Sequence, residues 1–374
     1  MDSLDRFAAE KLASLDAKSL RRRLVESARA DGIWIARGGK RLLSFSCNDY
    51  LNLAQDPRLA DAAIAAIRIH GVGAGASRLV TGNHPLYGEL EARLARIKGT
   101  EAACVFGSGY LANLGIISAL AGKNDLILVD ELSHSCILAG AALAGGRMLT
   151  FKHNDVADLE KLLKEHRKNF RNAIVATDSV LSMDGDLAPL AELSKLAEQY
   201  DAWLLTDDAH GLGVVHHEKV NIPLQMGTLS KAVGGYGGYL CASQAVIELI
   251  KNRARTLVYS TGLPPPTVAS AIAALDIIES DPELCAKPLA KARAFTQRLS
   301  LPRAESPIVP VILGDTEKAL AVSRMLEDEG FLVAAIRPPT VPPGTARLRF
   351  TFTAGHPDGE IARLAEIVAA RVLA

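Results

Sequence analysis

The 374-residue chain lacks an excess of charge of either sign: 42 basic and 42 acidic side chains cancel. A nucleic-acid surface calls for a basic stripe or excess, and the longest basic run is Arg21-Arg22-Arg23, so no nucleic-acid partner is expected. Cysteine is scarce and oddly numbered. Cys47, Cys104, Cys136, Cys241 and Cys285 are widely spaced with no C-x-x-C pair, which argues against a disulfide framework and against a thiolate zinc site. There is no H-E-x-x-H, and His216 and His217 are adjacent rather than one helical turn apart, so no metal is expected. The G-x-S-x-G of a serine hydrolase is absent as well. No apolar stretch approaches the roughly 18 residues that would span a bilayer. The opening MDSLDRFAAEKLASLDAKSLRRRL reads as a charged amphipathic helix without an apolar signal core. Together these absences predict a soluble, cytoplasmic protein with no membrane association.

What remains is ordinary globular composition, 49% hydrophobic and 22% charged, in a chain long enough for one large domain and a smaller one. GIWIARGGKRLLSFSCNDYLNLA alternates like a hairpin turning at Gly38-Gly39. LADAAIAAIRIH and GELEARLARIKG read as helices, the second stopped by Gly99. Short apolar runs then alternate with helices: AACVFGS before GYLANLGIISALA, DLILVD before HSCILAGAALAGG, NAIVATDSV before LAPLAELSKLAEQY, and AWLLTDDAH after it. That rhythm predicts βαβ units around a mostly parallel sheet, an α/β class fold. After STGLPPPT the pattern changes to a smaller α+β region containing SPIVPVILG, FLVAAIRPPTV and ARLRFTFTAGH. The expected division is an N-terminal helix and hairpin over 1–45, a large domain over 46–265 and a small C-terminal domain over 266–374.

In parallel α/β sheets, ligands bind beyond the carboxyl ends of the strands. Ser108 to Tyr110, Ser179 to Ser182, Asp207 to His210 and Thr228 to Lys231 each lie just past an apolar run. Lys231 sits in GTLSKAVGGYGG, between hydroxyls and glycines. It is not a P-loop lysine, because Thr228 and Ser230 precede it and the required glycine spacing is missing. GVGAGASR, from Gly71, follows a helix rather than a strand, so it reads as a structural loop rather than a dinucleotide fingerprint. Lys231, Asp207, His210 and His134 form the informative group. A lysine that holds an aldehyde cofactor covalently needs a phosphate cradle, which backbone N–H groups at Gly109 and Tyr110 and hydroxyls at Thr228 and Ser230 would supply. It also needs an acid to keep a pyridine nitrogen protonated, matching Asp207. His210 would reach the ring oxygen, and His134 would stack on the ring. Each of these residues taken singly also reads as a turn, cap or solvated loop residue; the four in this order do not.

TDDAHGLG, GTLSKAVGGYGGYL, YSTGLPP, SFSCNDYLNL, LSHSC, SMDGDLAPL and AIRPPTVPPGTARLRFTFTAGH together resemble the α-oxoamine synthases, from about Leu20 to the C-terminal helix. These are fold-type I pyridoxal-phosphate enzymes that condense an amino acid with an acyl thioester and release carbon dioxide. The resemblance implies pyridoxal 5'-phosphate as cofactor, with Lys231, His134, Asp207 and His210 catalytic. It implies cofactor contacts from Gly109, Tyr110, Ser182, Thr228 and Ser230, and from Thr261 across a homodimer interface. STGLPPPT, which carries Thr261, reads equally as an interdomain linker. For substrate, the resemblance points to Arg21, Asn48, His134, Thr340 and Arg349, with Arg349 on the amino-acid carboxylate, a task that suits a bidentate guanidinium. The Arg21 to Arg23 cluster also reads as a solvated basic turn.

AIRPPTVPPGTARLR most resembles the branch that joins L-alanine to a pimeloyl thioester carried by coenzyme A or an acyl carrier protein. The glycine-using sisters, 5-aminolevulinate synthase and 2-amino-3-ketobutyrate ligase, share the lysine motif. Intact Lys231, Asp207 and His210 disfavour a non-catalytic homologue, and the motifs at both ends disfavour an aminotransferase or lyase. One departure stands out: the connection between His210 and Lys231, filled by HHEKVNIPLQM, is shorter than the family pattern.

Overall fold

The computed structural model describes residues 2–218 and 220–373. Helix α1 (Ser3–Ala17) is capped by the Asp2 carboxylate and buries no residue. The sequence reads as one helix to Leu24, but α1 stops at Ala17. Ser19 takes a left-handed φ of 54°, and the Leu20 N–H returns to the Leu15 carbonyl at 2.8 Å, which closes the last turn. Arg21 to Arg23 therefore lie in non-helical chain.

Strands β1 (Ala28–Asp31), β2 (Trp34–Arg37) and β3 (Lys40–Ser44) form an antiparallel meander. The expected hairpin is there, with Gly38 and Gly39 at positive φ. Helix α2 (Pro57–His70) leads into the glycine loop, and α3 (Leu86–Lys98) ends on Gly99 in the left-handed region.

The central sheet is built by β4 (Ala102–Phe106), α4 (Gly109–Leu120), β5 (Leu126–Asp130), α5 (Ser135–Ala144), β6 (Arg147–Phe151), α6 (Val156–His166), β7 (Ala173–Asp178), α7 (Leu190–Gln199), β8 (Trp203–Asp207), β9 (Leu224–Thr228) and β10 (Gly238–Ala242). Its strand order is β4-β10-β9-β8-β7-β5-β6. Only β10 runs against the rest. Strands β5 and β7 are buried along their whole length, which is why they read as continuous apolar runs. Alternate residues of β5 serve opposite faces: Ile127 and Val129 pack with Ile116 and Ile117 of α4, while Leu126 and Leu128 pack with Leu159 of α6 and Leu193 of α7.

The chain continues through α8 (Gln244–Arg253), α9 (Arg255–Val258), α10 (Pro265–Ser280), α11 (Pro282–Arg298), β11 (Ile308–Gly314), α12 (Thr316–Asp328), β12 (Phe331–Leu332), β13 (Ala334–Ile336), β14 (Ala346–Thr351) and α13 (Asp358–Val368). Strands β11, β14 and β13 form an antiparallel sheet, and β12 pairs in parallel with β3. Ile33, Leu43 and Phe45 from the N-terminal hairpin share one core with Phe295, Phe331, Phe350 and Phe352. Among the described residues no helix is long and apolar enough to cross a membrane.

Parallel strands bring their carboxyl ends to one edge. That edge carries the turns after β4, β5, β7, β8 and β9, and hence Ser108, His134, Ser182, His210 and Lys231.

Candidate active site

Helix α4 begins one residue after a turn in which the Ser108 hydroxyl accepts from the Leu111 N–H at 3.2 Å. Gly109 is its first residue, and a Cβ built there would lie 3.5 Å from Cβ of Thr228. The free N–H groups of α4 thus face the end of β9. The antiparallel β10 starts in the same place: a Cβ on Gly238 would be 2.5 Å from the Ser108 carbonyl and 2.6 Å from the Gly109 nitrogen, so only glycine fits. The Thr228 hydroxyl meets the Ser230 hydroxyl at 2.7 Å and donates to the Gly237 carbonyl at 2.8 Å. A helix start flanked by two hydroxyls is an anion cradle.

Lys231 is partly buried, and its ammonium has no hydrogen-bonding or ion-pair partner among the described residues. Burial, followed by the nearby Arg349 guanidinium, lowers its pKa, while Asp207 pulls the other way. Such an amine is closer to its unprotonated, nucleophilic form than a surface lysine.

Asp207 ends β8 and is buried. Its Oδ2 accepts from Nδ2 of Asn113 at 2.8 Å, and its Oδ1 accepts from the Ala209 N–H at 2.9 Å. Asp178, at the end of the adjacent β7, is buried beside it. Burial and then the Asp207 charge push Asp178 well above the carboxylate range. Asp207 is raised by burial too, but Asn113 and Ala209 oppose that rise. Two neighbouring carboxyls cannot both ionise cheaply, so Asp178 keeps the proton and Asp207 the charge.

The Asn113 amide also donates to Sγ of Cys136 at 3.1 Å, and that sulfur lies 2.8 Å from Nδ1 of His134. The Cys136 thiol is pushed up to about 12 by burial and by Asp207, so it stays protonated. His134, exposed at the start of α5, is fixed further by its N–H donating to Oδ2 of Asp178 at 2.9 Å. An unbroken chain, Asp207–Asn113–Cys136–His134, joins two residues that the sequence singles out through two that it does not. Asn113 lies one helical turn beyond Gly109 and so shares its face, which is the signal that could have found it.

His210 is buried, and burial, Lys231, Arg349 and His134 in turn hold its pKa well below the ordinary value. Its Nδ1 is 2.6 Å from the hydroxyl of Tyr50. Tyr50 stands in SFSCNDYLNL, so the motif was legible although this residue's part was not. Arg349, in β14 and buried, donates to Oδ1 of Asn48 at 3.1 Å and to the Ser182 carbonyl. It thereby brings together the N-terminal hairpin's exit, the turn after β7 and β14.

Arg21, Thr340, Thr261 and Tyr110 lie outside this hydrogen-bonded cluster. Arg21 pairs with Asp16 at 2.6 Å, and its carbonyl accepts from Arg337. Its neighbour Arg22 reaches the Thr340 hydroxyl at 2.9 Å and lines, with His134, Ser182, Asp184 and Thr340, a cleft of about 630 Å³. Thr261 is exposed and bridges to Ser77 in the glycine loop. Tyr110 is also exposed, on the first turn of α4. In the connection after His210, His217 lies 3.2 Å from Asp208, which also pairs with Lys98; Lys219, in the same connection, lies outside the described residues.

Residues 40–368 match the family model described as aminotransferase class I and II. The chain is 60% identical to an 8-amino-7-oxononanoate synthase of Beijerinckia indica subsp. indica, over 99% of this chain and 98% of that one. It is 62% identical to one of Methylorubrum extorquens, over 98% and 95%. Among solved structures, a serine palmitoyltransferase of S. paucimobilis with a bound PLP–myriocin aldimine superposes with a TM-score of 0.91 at 29% identity, over 99% of this chain and 98% of that chain. An 8-amino-7-oxononanoate synthase of Francisella tularensis gives a TM-score of 0.76 at 25% identity, over 89% and 98%. The expected α/β fold of fold type I holds.

Proposed function

The chain belongs to the class I and II aminotransferase family, and on that premise we propose that it condenses L-alanine with a pimeloyl thioester to give 8-amino-7-oxononanoate, carbon dioxide and the free thiol. This is a step of biotin biosynthesis, with pyridoxal 5'-phosphate as cofactor. The observation that carries the reading is the partly buried Lys231 amine, without a partner among the described residues, near a buried Asp207 and a helix-start anion cradle.

These residues fit the cofactor. Gly109, Tyr110, Thr228 and Ser230 would hold its phosphate, and Lys231 its aldehyde carbon. Asp207 would face the pyridine nitrogen, His134 the ring face and His210 the ring oxygen, with Ser182 a further contact. When bound, pyridoxal phosphate supplies an electron sink for the α-carbon.

The chain's own residues do the rest. Arg349, already oriented by Asn48 and Ser182, anchors the alanine carboxylate with a fixed fork of donors. Lys231, its basicity lowered by burial, takes the α-proton. Asp207 stays anionic because the Asn113 amide and the Ala209 N–H favour its charge, while burial and that charge keep Asp178 protonated. His210 stays neutral, and Tyr50 sets its tautomer. Thr340 serves the acyl substrate and Arg22 enters through its contact with Thr340, while Arg21, turned back onto Asp16, takes a lesser part.

The enzyme works as a cytoplasmic homodimer in which the exposed Thr261 reaches the neighbour's phosphate. Mixing Lys231→Ala with Thr261→Ala subunits restores part of the activity if sites are shared; no rescue, with subunit exchange verified, counts against it. The deciding assay offers alanine, glycine and serine with pimeloyl, succinyl and acetyl thioesters and follows thiol release. Preference for glycine with succinyl or acetyl thioester would move the chain to a sister activity.

A further inference from the structure

Outside the cluster around Lys231, one histidine is held by two carboxylates that fasten different loops of the cleft. His153 lies between β6 and α6. Its Nδ1 is 3.1 Å from both carboxylate oxygens of Asp130, and its Nε2 is 2.7 Å from Oδ2 of Asp186. A ring that meets a carboxylate at each nitrogen carries both protons. Burial pulls its pKa down, but Asp130 and Asp186 outweigh that and lift it to about 10. Asn154 repeats the bridge, donating its N–H to Asp130 at 2.9 Å and its amide to Asp186 at 3.0 Å. Glu131 accepts from the His153 N–H at 3.1 Å, so Asp130, Asp186 and Glu131 are the charged groups facing this residue.

Each carboxylate holds a loop. Asp130, fully buried at the end of β5, accepts from the Leu132 N–H at 2.9 Å and so shapes the turn that leads to His134. Asp186 closes the turn that begins at Leu181, whose N–H donates to the Asp186 carbonyl at 3.1 Å. That turn carries Ser182, whose carbonyl accepts from Arg349. It has no slack on its far side: a Cβ on Gly185, at φ +76°, would sit 2.2 Å from the Ile308 carbonyl oxygen. Asp184 in the same turn pairs with Arg347. His134, Ser182 and Asp184 line the same cleft.

We propose that His153 is a positioning residue for the amino-acid site, a cationic tie that holds the His134 turn against the Ser182 turn and, through the Ser182 carbonyl, sets the guanidinium of Arg349. Without the cation, two carboxylates face each other across the joint and the loops separate, because an uncompensated buried charge is costly. A neutral side chain can donate to one carboxylate but leaves the repulsion in place. The proposal rests on the reading of Arg349 as the anchor of the amino-acid carboxylate.

The test uses cofactor-loaded wild type, His153→Gln, His153→Lys and Asp186→Asn. Each is titrated with L-alanine, following the cofactor's visible absorbance, with kcat and KM in parallel and thermal unfolding as a control. His153→Gln and Asp186→Asn are expected to weaken L-alanine binding and raise its KM on the order of tenfold, the scale of one lost charge-assisted hydrogen bond, with a smaller change in kcat. His153→Lys, which restores a cation, recovers part of the loss. Unchanged L-alanine affinity in His153→Gln, with or without a lower melting temperature, overturns the positioning role. Asp186→Asn decides the matter in the same way if His153→Gln fails to fold. A wild type that does not respond to L-alanine overturns the reading of the site itself, and this proposal with it.

Discussion

The hydroxyl of Tyr50 and Nδ1 of His210 lie 2.6 Å apart, and both residues are buried. Burial pushes the Tyr50 phenol up to about 12 and holds His210 well below its ordinary value. The phenol therefore keeps its proton and the imidazole is neutral. Among the described residues the other acceptor near that hydroxyl, Oδ1 of Asn48, is 3.4 Å away, a much longer contact. Tyr50 thus donates to Nδ1 and leaves Nε2 as the N–H, which fixes the tautomer without a visible hydrogen.

Tyr50→Phe removes that choice. One buried neutral hydrogen bond is worth about 1 kcal/mol, so kcat/KM is expected to fall roughly five- to tenfold, with cofactor still bound and its absorbance band altered. Unchanged kinetics and spectrum would show that His210 does not depend on Tyr50.

Asp207 and Asn113 make a paired prediction. Asp207→Asn keeps the shape but loses the charge opposite the pyridine nitrogen. The variant is expected to bind cofactor while exchanging the α-proton of alanine slower by a factor on the order of a hundred or more, as when a preorganised electrostatic partner is lost. Asn113→Ala removes a group that lowers the pKa of Asp207. Asp207 acts as an anion, so activity is lost as pH falls through its pKa, and Asn113→Ala should move that acid limb to higher pH. A limb that stays in place would separate Asn113 from the function of Asp207.

Much of this was legible in sequence because the signals were local. β5 and β7 are largely apolar runs, and each is followed at once by a cluster of polar residues, which marks the strand end. β6 was not legible: RMLTF lies at the sheet edge with its first residues exposed, so it lacks the buried-strand pattern. LQMGT and GYLCA, as β9 and β10, have no helix between them and so fall outside the strand–helix rhythm that marks the other strands. Within the site, Lys231, Asp207 and His210 stand out because their residue types are rare at strand ends. Asn113 and Cys136 sit on apolar helices, where only the crossing of α4 and α5 makes them neighbours of Asp207 and His134. Contacts of that kind depend on packing between distant segments and leave no spacing to read.

The arginine cluster separates by geometry. Arg21 is turned back onto Asp16, whereas Arg22 lines the cleft and holds Thr340. Arg22→Ala is expected to raise the KM for the acyl thioester several-fold, the scale of one hydrogen bond from a charged donor, while leaving the L-alanine KM unchanged. Arg21→Ala should do less, since its ion pair with Asp16 is exposed and such pairs contribute little. The reverse order in the thioester KM would put Arg21 on the substrate.

His153 also sets how stability depends on pH. Unfolded, it titrates near the ordinary 6.5; in the fold its pKa is about 10. Folding therefore favours the protonated form, and the contribution is complete below about 6.5. Above that, the unfolded chain sheds its proton while the folded one keeps it, so stability falls by up to about 1.4 kcal/mol per pH unit until the folded pKa is reached. His153 retains 20% side-chain exposure, and water at the joint reduces the total to a few kcal/mol. Denaturant unfolding of wild type and His153→Gln at pH about 6, 8 and 10 reads this directly. The stability gap between them should be widest at pH 6 and shrink towards pH 10, because glutamine contributes no titration of its own. A gap of constant size across that range would mean that the imidazole is not held as a cation between Asp130 and Asp186.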